Sequence, residues 1–445
     1  MKKILNLTLG FVLILIVLTA CEKITNKVPS KSISDETALT TYDGLQAALL
    51  GTYNALQSGD LYGGNIWACG DMLCNNVKNS GQGNIVYEET QMLEKNMSPD
   101  NRLSASFWDR CYFTINMANS IIEAIPEVAP AQEDADRLRG ECLFIRAMIY
   151  FDMVRYLGNW VQGSPSYGLG VPLILAPTGI DARPSRNTVD EVYAQIVTDL
   201  TEAATLLPAS NSNRATKWSA KALLSRVYFY LDQYQNCIDI STEVIDYGGF
   251  KLVDSVMDNF GSTVTSEIIF AILSTQTSTS AGTLNGYYRL ASNGKFSPST
   301  GVLKVFTFTG GPDDQRYTKL FYSDGGKYFT SMFDDRYMNI PLIRLAEVYL
   351  NRCESRFNQG DVQGALEDLN VVRKRAGVQD STSINATWIY YERFKELCFQ
   401  GDNFFNLKRL KRDEISDKDL PWDDRRLIYL IPQREIDVNP NLVQN

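Results

Sequence analysis

The 445-residue chain contains no histidine. Ser-His-Asp and Cys-His catalytic groups, histidine general bases and histidine-ligated metal sites are therefore excluded. Basic residues are also few, since 43 Lys and Arg stand against 52 Asp and Glu, which gives a net charge of -9. Such an acidic chain is a poor partner for the phosphate backbone of a nucleic acid. The absence of histidine thus excludes many classes of enzyme, and the shortage of basic residues argues against nucleic-acid binding.

Long apolar runs are limited to the N-terminus, where residues 4–18 follow two lysines and precede two small residues. This layout predicts a secretory signal peptide over residues 1–20. The alternative is a retained anchor helix, but the run is shorter than the ~20 residues that such a helix needs and contains two polar residues.

The signal ends in Leu18-Thr19-Ala20-Cys21, which looks like a bacterial lipobox. In that motif the cysteine is acylated and becomes the first residue; a chance cysteine is the alternative. Each buried methylene contributes ~0.8 kcal/mol, so two or more chains on Cys21 would hold the protein firmly on a lipid surface. Loss of residues 1–20 removes two lysines and no acid, which takes the net charge from -9 to -11.

Seven further cysteines are present, so at least one thiol must be free. Cys111, Cys142, Cys237, Cys353 and Cys398 fall in apolar helical patterns, where a thiol behaves as a small hydrophobic side chain. Cys69 and Cys74, five residues apart in an expected loop, could be free or form a local disulfide.

Apolar residues recur at intervals of three and four over 136–158, which predicts a central, mostly buried helix with its arginines on the surface. Residues 106–125 form its expected partner in an antiparallel hairpin that ends before Pro126. A further helix is expected to start at Asn187 or Thr188 and to close at Pro208.

Two stretches repeat at an offset of 128, since residues 225–244 align with residues 353–372. Both are expected to form helix, short turn, helix. Small residues twelve apart, Ser225 with Cys237 and Cys353 with Ala365, mark the positions where the two helices approach closely. This spacing resembles the tetratricopeptide unit, whose helix pairs stack into a superhelix.

Less regular segments are expected between these helices. They comprise residues 61–99, 158–186, 275–330 and the tail from Asp413, with one short strand over 267–273.

The segment LYGGNIWACGDMLCNN, residues 61–76, combines glycines with an aromatic ring, amides and a carboxylate. A sugar stacks its C-H face on an aromatic ring and its vicinal hydroxyls bond to amides or carboxylates. The candidate ligand residues in this segment are Asn65, Trp67, Asp71, Asn75 and Asn76. The equally weighted alternative is that Trp67 fills the core beneath a loop.

A second cluster of aromatic residues supplies further candidates, although most of its rings are expected only to close loops onto helices. The candidate ligand residues here are Tyr287, Tyr288, Phe296 and Tyr322. The acid pairs at 88–89, 313–314, 334–335 and 423–424 are interpreted as surface charge, because a glycosidase needs two carboxylates facing each other across a cleft. The spacing of an EF-hand is absent, and no metal or cofactor is predicted.

Several longer motifs, taken in order along the chain, resemble the SusD/RagB family of outer-membrane nutrient-binding lipoproteins. Besides the lipobox they are GECLFIRAMIYFDMVRYLG (140–158), VPL (171–173), RPSRNTVDEVYAQIVTDLTEAATLLP (183–208), NRATKWSAKALLSRVYFYLDQY (213–234), SEIIFAI (266–272), IPLIRLAEVYLNRCESRFNQGD (340–361), LNVVRKRAG (369–377), ERFKELCFQGDNFFNLKR (392–409) and IPQREIDVNPNLVQN (431–445).

The resemblance implies a mainly α fold, a tetratricopeptide-like helix-pair superhelix with an irregular, loop-rich lobe containing short strands. It implies an N-terminal region over 21–235 and a C-terminal region over 236–445, with the ligand lobe at about 250–335, helix pairs at about 340–410 and then a tail. Family members are acylated, by chains such as palmitate, in the outer membrane and face the exterior, where each caps a SusC-like TonB-dependent channel.

The resemblance further implies a non-enzymatic binding protein that captures oligosaccharide, or oligopeptide in RagB-like members, and passes it to the channel. A secreted glycosidase is a third, weaker hypothesis. The chain departs from many members at Asn75 and Asn76, where they carry an acid, and no residue-by-residue match carries over the aromatic arc of starch-binding relatives.

Overall fold

The structure is a computed structural model that describes residues 39–179, 181–275, 279–309, 313–413 and 420–445. The expected signal peptide and the lipobox cysteine Cys21 lie outside the described residues. Within these ranges, no helix is both long and apolar enough to cross a bilayer.

Sixteen α-helices account for most of the described chain. They are α1 (Tyr42–Leu56), α2 (Asn65–Leu73), α3 (Tyr87–Leu93), α4 (Arg102–Val128), α5 (Gln132–Leu157), α6 (Val189–Leu206), α7 (Lys217–Tyr230), α8 (Tyr234–Tyr247), α9 (Gly282–Tyr288), α10 (Thr300–Thr309), α11 (Gln315–Leu320), α12 (Leu345–Asn358), α13 (Val362–Arg375), α14 (Ala386–Glu396), α15 (Asp402–Arg409) and α16 (Gln433–Val438). The expectation of a mainly α fold is confirmed.

Six short strands form three separate two-stranded antiparallel sheets in the described residues. They are β1 (Val77–Asn79) with β3 (Phe296–Pro298), β2 (Ile268–Ile272) with β6 (Ile340–Arg344), and the hairpin of β4 (Phe321–Asp324) with β5 (Lys327–Thr330). The predicted strand at 267–273 is thus confirmed. Residues 340–344 were assigned to a helix pair, but they form β6, the partner strand of β2. The reason is that this fully buried IPLIR segment supplies hydrogen-bonding partners for the backbone of β2.

Helices α4, α5 and α6 pack side by side as the sequence period predicts. Helix α5 is buried at nearly every position from Leu138 to Leu157. Two of its arginines are not on the surface as expected: Arg146 binds Asp199 of α6 through a 2.8 Å contact, and Arg155 pairs with Asp152. Burial of an arginine in a helical core requires such a carboxylate partner.

The repeat forms two helix pairs, α7 with α8 and α12 with α13, and α8 packs against α12. The small residues lie at the crossings as predicted. The Ser225 Oγ is 3.8 Å from the Cys237 Sγ, and the Cys353 Sγ is 3.2 Å from the backbone oxygen of Ala365. A larger side chain at these positions would separate the helices, so stacked tetratricopeptide-like pairs are confirmed.

Segments expected to be irregular contain more helix than the sequence suggested. Residues 61–76, which were expected to be a loop, hold α2, and short helices also occur in 275–330. Their lengths of six to ten residues offer too few turns for a clear helical period.

A network of buried charges lies beneath the C-terminal helices and uses the ERFKE motif of residues 392–396. The Arg316 guanidinium binds Asp314 at 2.8 Å, and the Arg344 guanidinium binds Glu396 at 2.8 Å. Lys395 donates to Asp314 at 3.0 Å. The interpretation of Asp314 as surface charge was therefore wrong, because its side chain is fully buried among cations from α11 and α14.

Candidate functional site

A polar cavity of about 380 Å³ lies where the N-terminal ends of α2, α3 and α4 meet α9 and the residue before β3. We call it the polar pocket, defined by Asp60, Asn65, Glu89, Arg102, Tyr287 and Lys295. Its volume falls in the roughly 300–1,000 Å³ range of small-molecule sites. Two residues predicted as ligand contacts from widely separated segments, Asn65 and Tyr287, come together here.

A chain of hydrogen bonds forms one wall of the pocket. The Tyr287 hydroxyl donates to the Asn65 Oδ1 at 2.9 Å, and the Asn65 amide donates to the Asp60 Oδ1 at 3.4 Å. Burial raises the pKa of Tyr287, so its phenol stays a neutral donor. Asn65 is held by the turn 57–64, in which the Asn65 N-H donates to the Gly59 oxygen at 2.9 Å.

Two ion pairs and the carboxylate of Asp60 supply the charges of the pocket. Lys295 donates to the Glu89 Oε1 at 2.6 Å, and its ammonium lies 5.4 Å from the ring centroid of Tyr287. Arg102 lies 3.5 Å from a carboxylate oxygen of Glu88 and leaves 70% of its side chain exposed. The pocket therefore presents positively and negatively charged side chains around the aromatic ring of Tyr287.

The segment 80–86 and the β4–β5 hairpin border this region. The Ser80 N-H donates to the Lys295 oxygen at 2.9 Å, and Lys327 of the hairpin donates to the Ser80 oxygen at 2.7 Å. A Cβ on Gly83 would lie 2.2 Å from the Asn293 oxygen, so only glycine allows this close approach. Tyr87, directly after the segment, is 74% exposed.

Trp67 does not line the polar pocket. It is 5% exposed on α2, packs 6.3 Å from the ring of Phe333 and lies against the backbone of Gly401. Trp67 therefore fills the core, as the alternative interpretation expected, but it does so from a helix and not from beneath a loop. We therefore leave Trp67 out of the proposed site.

Asp71, Asn76 and Tyr288 form a buried network behind the pocket. The Tyr288 hydroxyl donates to the Asp71 Oδ2 at 2.8 Å, and the Asn76 amide donates to its Oδ1 at 2.7 Å. Burial raises the pKa of Asp71 to about 7, against the lowering effect of these two donors. The bond from Tyr288 to Asp71 joins α9 to α2, and all three side chains are buried.

The other predicted contacts are also placed away from the pocket lining. Lys95 donates to the Asn75 side chain and to the Met72 oxygen. Phe296 is fully buried with its ring 5.3 Å from that of Tyr287. Tyr322 stacks on Phe329 in the hairpin at 5.8 Å and is half-buried. Ligand contact by these residues stays a prediction.

The sequence did not identify Asp60, Glu89, Arg102 and Lys295 as candidates. Glu89 belongs to an acid pair that was interpreted as surface charge. Glu89 is in fact only 2% exposed, and its Oε2 accepts a hydrogen bond from the Val86 N-H at 3.0 Å.

No group of three or more metal-ligating side chains occurs among the residues that the structure describes. The cysteines at 69 and 74 are both free and buried.

Comparison with known proteins agrees with this architecture. A family model described as "SusD-like_3: Starch-binding associating with outer membrane" matches residues 34–229, and one described as "SusD_RagB: SusD family" matches residues 316–427. SusD-like protein P38 of Formosa agariphila is 30% identical over 259 residues, which cover 57% of this chain and 48% of that protein. The chain thus spans about half the length of several curated relatives that it matches.

Two solved structures share the fold. A SusD superfamily protein from Bacteroides thetaiotaomicron superimposes with a TM-score of 0.81 at 27% identity, over 91% of this chain and 99% of that one. A laminarin-binding SusD-like protein superimposes with a TM-score of 0.77 over 91% and 99%, and its 22% identity shows the fold alone. The ordered family matches and the shared helical architecture show that the chain belongs to the SusD/RagB family.

Proposed function

We propose that this protein is a lipid-anchored binding protein of the outer membrane that captures an oligosaccharide in the polar pocket and delivers it to a SusC-like TonB-dependent transporter. The observation that carries the proposal is the set of polar groups that line one concave site, among them Asp60, Arg102 and Lys295. Carboxylates and cations of this kind bond the adjacent hydroxyls of a sugar.

The membrane association of the family supports the location, because one matching family model is described as associating with the outer membrane. An acylated Cys21 would supply the anchor and place the pocket on a tether facing the exterior. Division into an N-terminal region over 21–235 and a C-terminal region over 236–445 remains our proposal, and the polar pocket would then use residues of both.

An oligopeptide is the second candidate ligand. Its backbone N-H and C=O groups would also find partners in a pocket of mixed charge, and the exposed guanidinium of Arg102 could bind a terminal carboxylate. The aromatic ring of Tyr287 in the pocket lining favours the sugar, because sugars are commonly bound beside aromatic side chains.

Isothermal titration calorimetry tests the proposal on protein that begins at Glu22 and so contains every described residue. The probes are maltohexaose, laminarihexaose and a mixed tetrapeptide library. We expect at least one oligosaccharide to bind, and Asp60→Ala and Arg102→Ala each to weaken it about tenfold or more, as expected for charged hydrogen bonds.

Matched controls are Asp254→Ala and Arg336→Ala, which remove the same charges from exposed positions outside the pocket. Binding that is equally weakened by the control variants, or unchanged by both pocket variants, would exclude the polar pocket as the site. Mass spectrometry of material that co-purifies with the native protein and its channel distinguishes the two ligand classes. If that material contains peptides and no oligosaccharide, the proposal of an oligosaccharide ligand is overturned.

A further inference from the structure

A second concave site is lined by residues of α5, α6 and α15 and by the end of α7. We call it the tryptophan cleft, defined by Trp160, Tyr167, Tyr193, Lys408, Lys411 and Trp422. Its cavity volume is about 440 Å³, again within the roughly 300–1,000 Å³ range of small-molecule sites. No lining residue is shared with the polar pocket.

The aromatic residues of the cleft are accessible, unlike most rings of the predicted site. Tyr167 is 46% exposed, and Trp160, Tyr193 and Trp422 are half-buried. The rings of Trp160 and Tyr167 meet edge to face with centroids 6.3 Å apart, and Gln162 donates to the Tyr167 hydroxyl at 3.1 Å. This contact fixes two rings at the cleft wall without burying them.

Positive charge is available in the same cleft. Lys408 donates a long 3.5 Å bond to the Leu427 oxygen and lies 5.4 Å from the ring centroid of Phe404. The Lys411 ammonium lies 5.6 Å from the centroid of Trp422. Among the residues that the structure describes, neither lysine lies within ion-pair distance of a carboxylate. The two arginines that also line the cleft differ, because Arg155 is paired with Asp152 and Arg409 with Glu354.

This charge is unusual for a chain whose net charge is -9. Burial lowers the pKa of Lys408 to about 8 against the raising effect of the Asp423 carboxylate, and a bound anion would further favour the charged form. Two lysines without carboxylate partners beside exposed rings therefore suit a ligand that is both anionic and flat-faced.

We propose that the tryptophan cleft is a second binding site, and that it takes a saccharide carrying a carboxylate or sulfate group. Its sugar rings stack on the aromatic side chains, and its anionic group pairs with Lys408 and Lys411. The exposed carboxylate of Asp190, at the start of α6, accepts from ring hydroxyls. The observations favour a saccharide over an acidic segment of a protein, because a concave site with several accessible rings fits sugar faces better than carboxylate side chains alone.

The test titrates the protein that begins at Glu22 with trigalacturonate, a heparin-derived tetrasaccharide and neutral maltotriose, at 20 and 300 mM NaCl, using calorimetry. We expect trigalacturonate or the heparin tetrasaccharide to bind at low salt, to weaken at high salt and to outcompete maltotriose. The first probe carries carboxylates and the second carries sulfates, so the preferred probe identifies the anionic group. Trp422→Ala and Lys411→Ala are expected to weaken binding about tenfold or more, whereas Lys411→Arg retains it.

Matched controls are Trp388→Ala and Lys374→Ala, which remove the same side-chain types from exposed positions outside the cleft. Lys295→Ala, in the polar pocket, should leave binding of the anionic probe unchanged. This variant therefore distinguishes a failure of the tryptophan cleft proposal from a failure of the polar pocket proposal. No binding of either anionic probe, equal binding of maltotriose, or loss of binding in Lys295→Ala would each overturn the proposal. Binding of a poly-glutamate peptide that the two anionic probes cannot displace would assign the cleft to an acidic protein partner and overturn it as well.

Discussion

The Tyr287 hydroxyl donates a 2.9 Å hydrogen bond to the Asn65 side chain, across 222 positions of the sequence. This bond joins α9 to the start of α2, two helices that are far apart in the sequence. Both residues were identified by their chemistry alone, and the structure brings them to one polar wall. The polar pocket therefore depends on the packing of two distant segments.

Replacement of Trp67 should affect folding more than binding. Trp67→Ala removes a ring that is 5% exposed, and such substitutions cost about 3–5 kcal/mol of the free energy of unfolding. Trp388→Ala, at a position 39% exposed, is the control and should cost well under half of that. Urea unfolding followed by far-ultraviolet circular dichroism measures both, and equal losses would contradict the interior placement of Trp67.

Gly401 is expected to tolerate no side chain. Its φ is +73°, and an added Cβ would lie 3.0 Å from the Trp67 Cδ1 and 3.2 Å from its Cα. Gly401→Ala therefore combines backbone strain of about 1–2 kcal/mol with a steric clash. The control is Gly360→Ala, with a φ of +87° and open space around the added Cβ, which should show the strain alone. Equal unfolding midpoints for the two variants would argue against the Trp67 contact.

Acid should weaken the buried charge network in a definite pH range. Burial would raise the pKa of Asp314, but Arg316 and Lys395 outweigh it and lower the pKa from 3.8 to about 2. A carboxyl whose pKa is lowered on folding stabilises the fold above its unfolded value, and that contribution is lost as the pH falls through the folded value. For Asp314 the loss is on the order of 2 kcal/mol between about pH 4 and pH 2.

Urea unfolding at pH 4.5 and pH 2.5 measures this loss, and Asp314→Asn should show a smaller difference between the two pH values. Asp71 acts in the opposite direction, because its pKa of about 7 lies above the ordinary 3.8, so it destabilises the fold as the pH rises from about 4 to about 7. This contribution is the same in Asp314→Asn and therefore cancels in the comparison. An unchanged difference in Asp314→Asn would show that Asp314 does not contribute to acid unfolding.

Thiol counting tests the anchor and the cysteine assignments together. The seven described cysteines are buried and free, and burial raises the pKa of the Cys69 thiol to about 12. Ellman's reagent should therefore react slowly with the native protein and detect seven thiols after unfolding, because an acylated Cys21 contributes none.

The sample for that count is protein extracted from the outer membrane of an exporting host without reductant, and Cys21→Ser is the control, expected to give seven thiols without membrane retention. Eight thiols in the extracted protein would show that Cys21 is not acylated. Five would show a disulfide, for which Cys69 and Cys74 are the nearest pair in sequence.

The sequence alone was sufficient for the long helices and insufficient for the short ones. Helices such as α5 and α6 repeat their apolar residues over several turns, and Thr188 with Glu191 marks the start of α6 by a reciprocal cap. Helix α2 has nine residues, all of them buried, so it shows no polar face and its sequence was interpreted as an irregular segment. Buried ion pairs were also missed, because the sequence shows that Asp314 and Lys395 are charged but not that they meet.

What the sequence determined by itself is the mainly helical architecture, the repeated helix pair with small residues at its crossings and the family to which the chain is similar. The helical properties depend on local periodicity and on residue size at fixed spacing, and the resemblance to the family depends on motifs that occur in order along the chain. Only the tertiary structure decided that Trp67, Asp71 and Tyr288 are interior while Asp60, Glu89 and Lys295 line a pocket. The reason is physical: an aromatic ring or a carboxylate has the same chemistry in a core and in a binding site, and only the segments that pack around it determine whether a ligand can reach it.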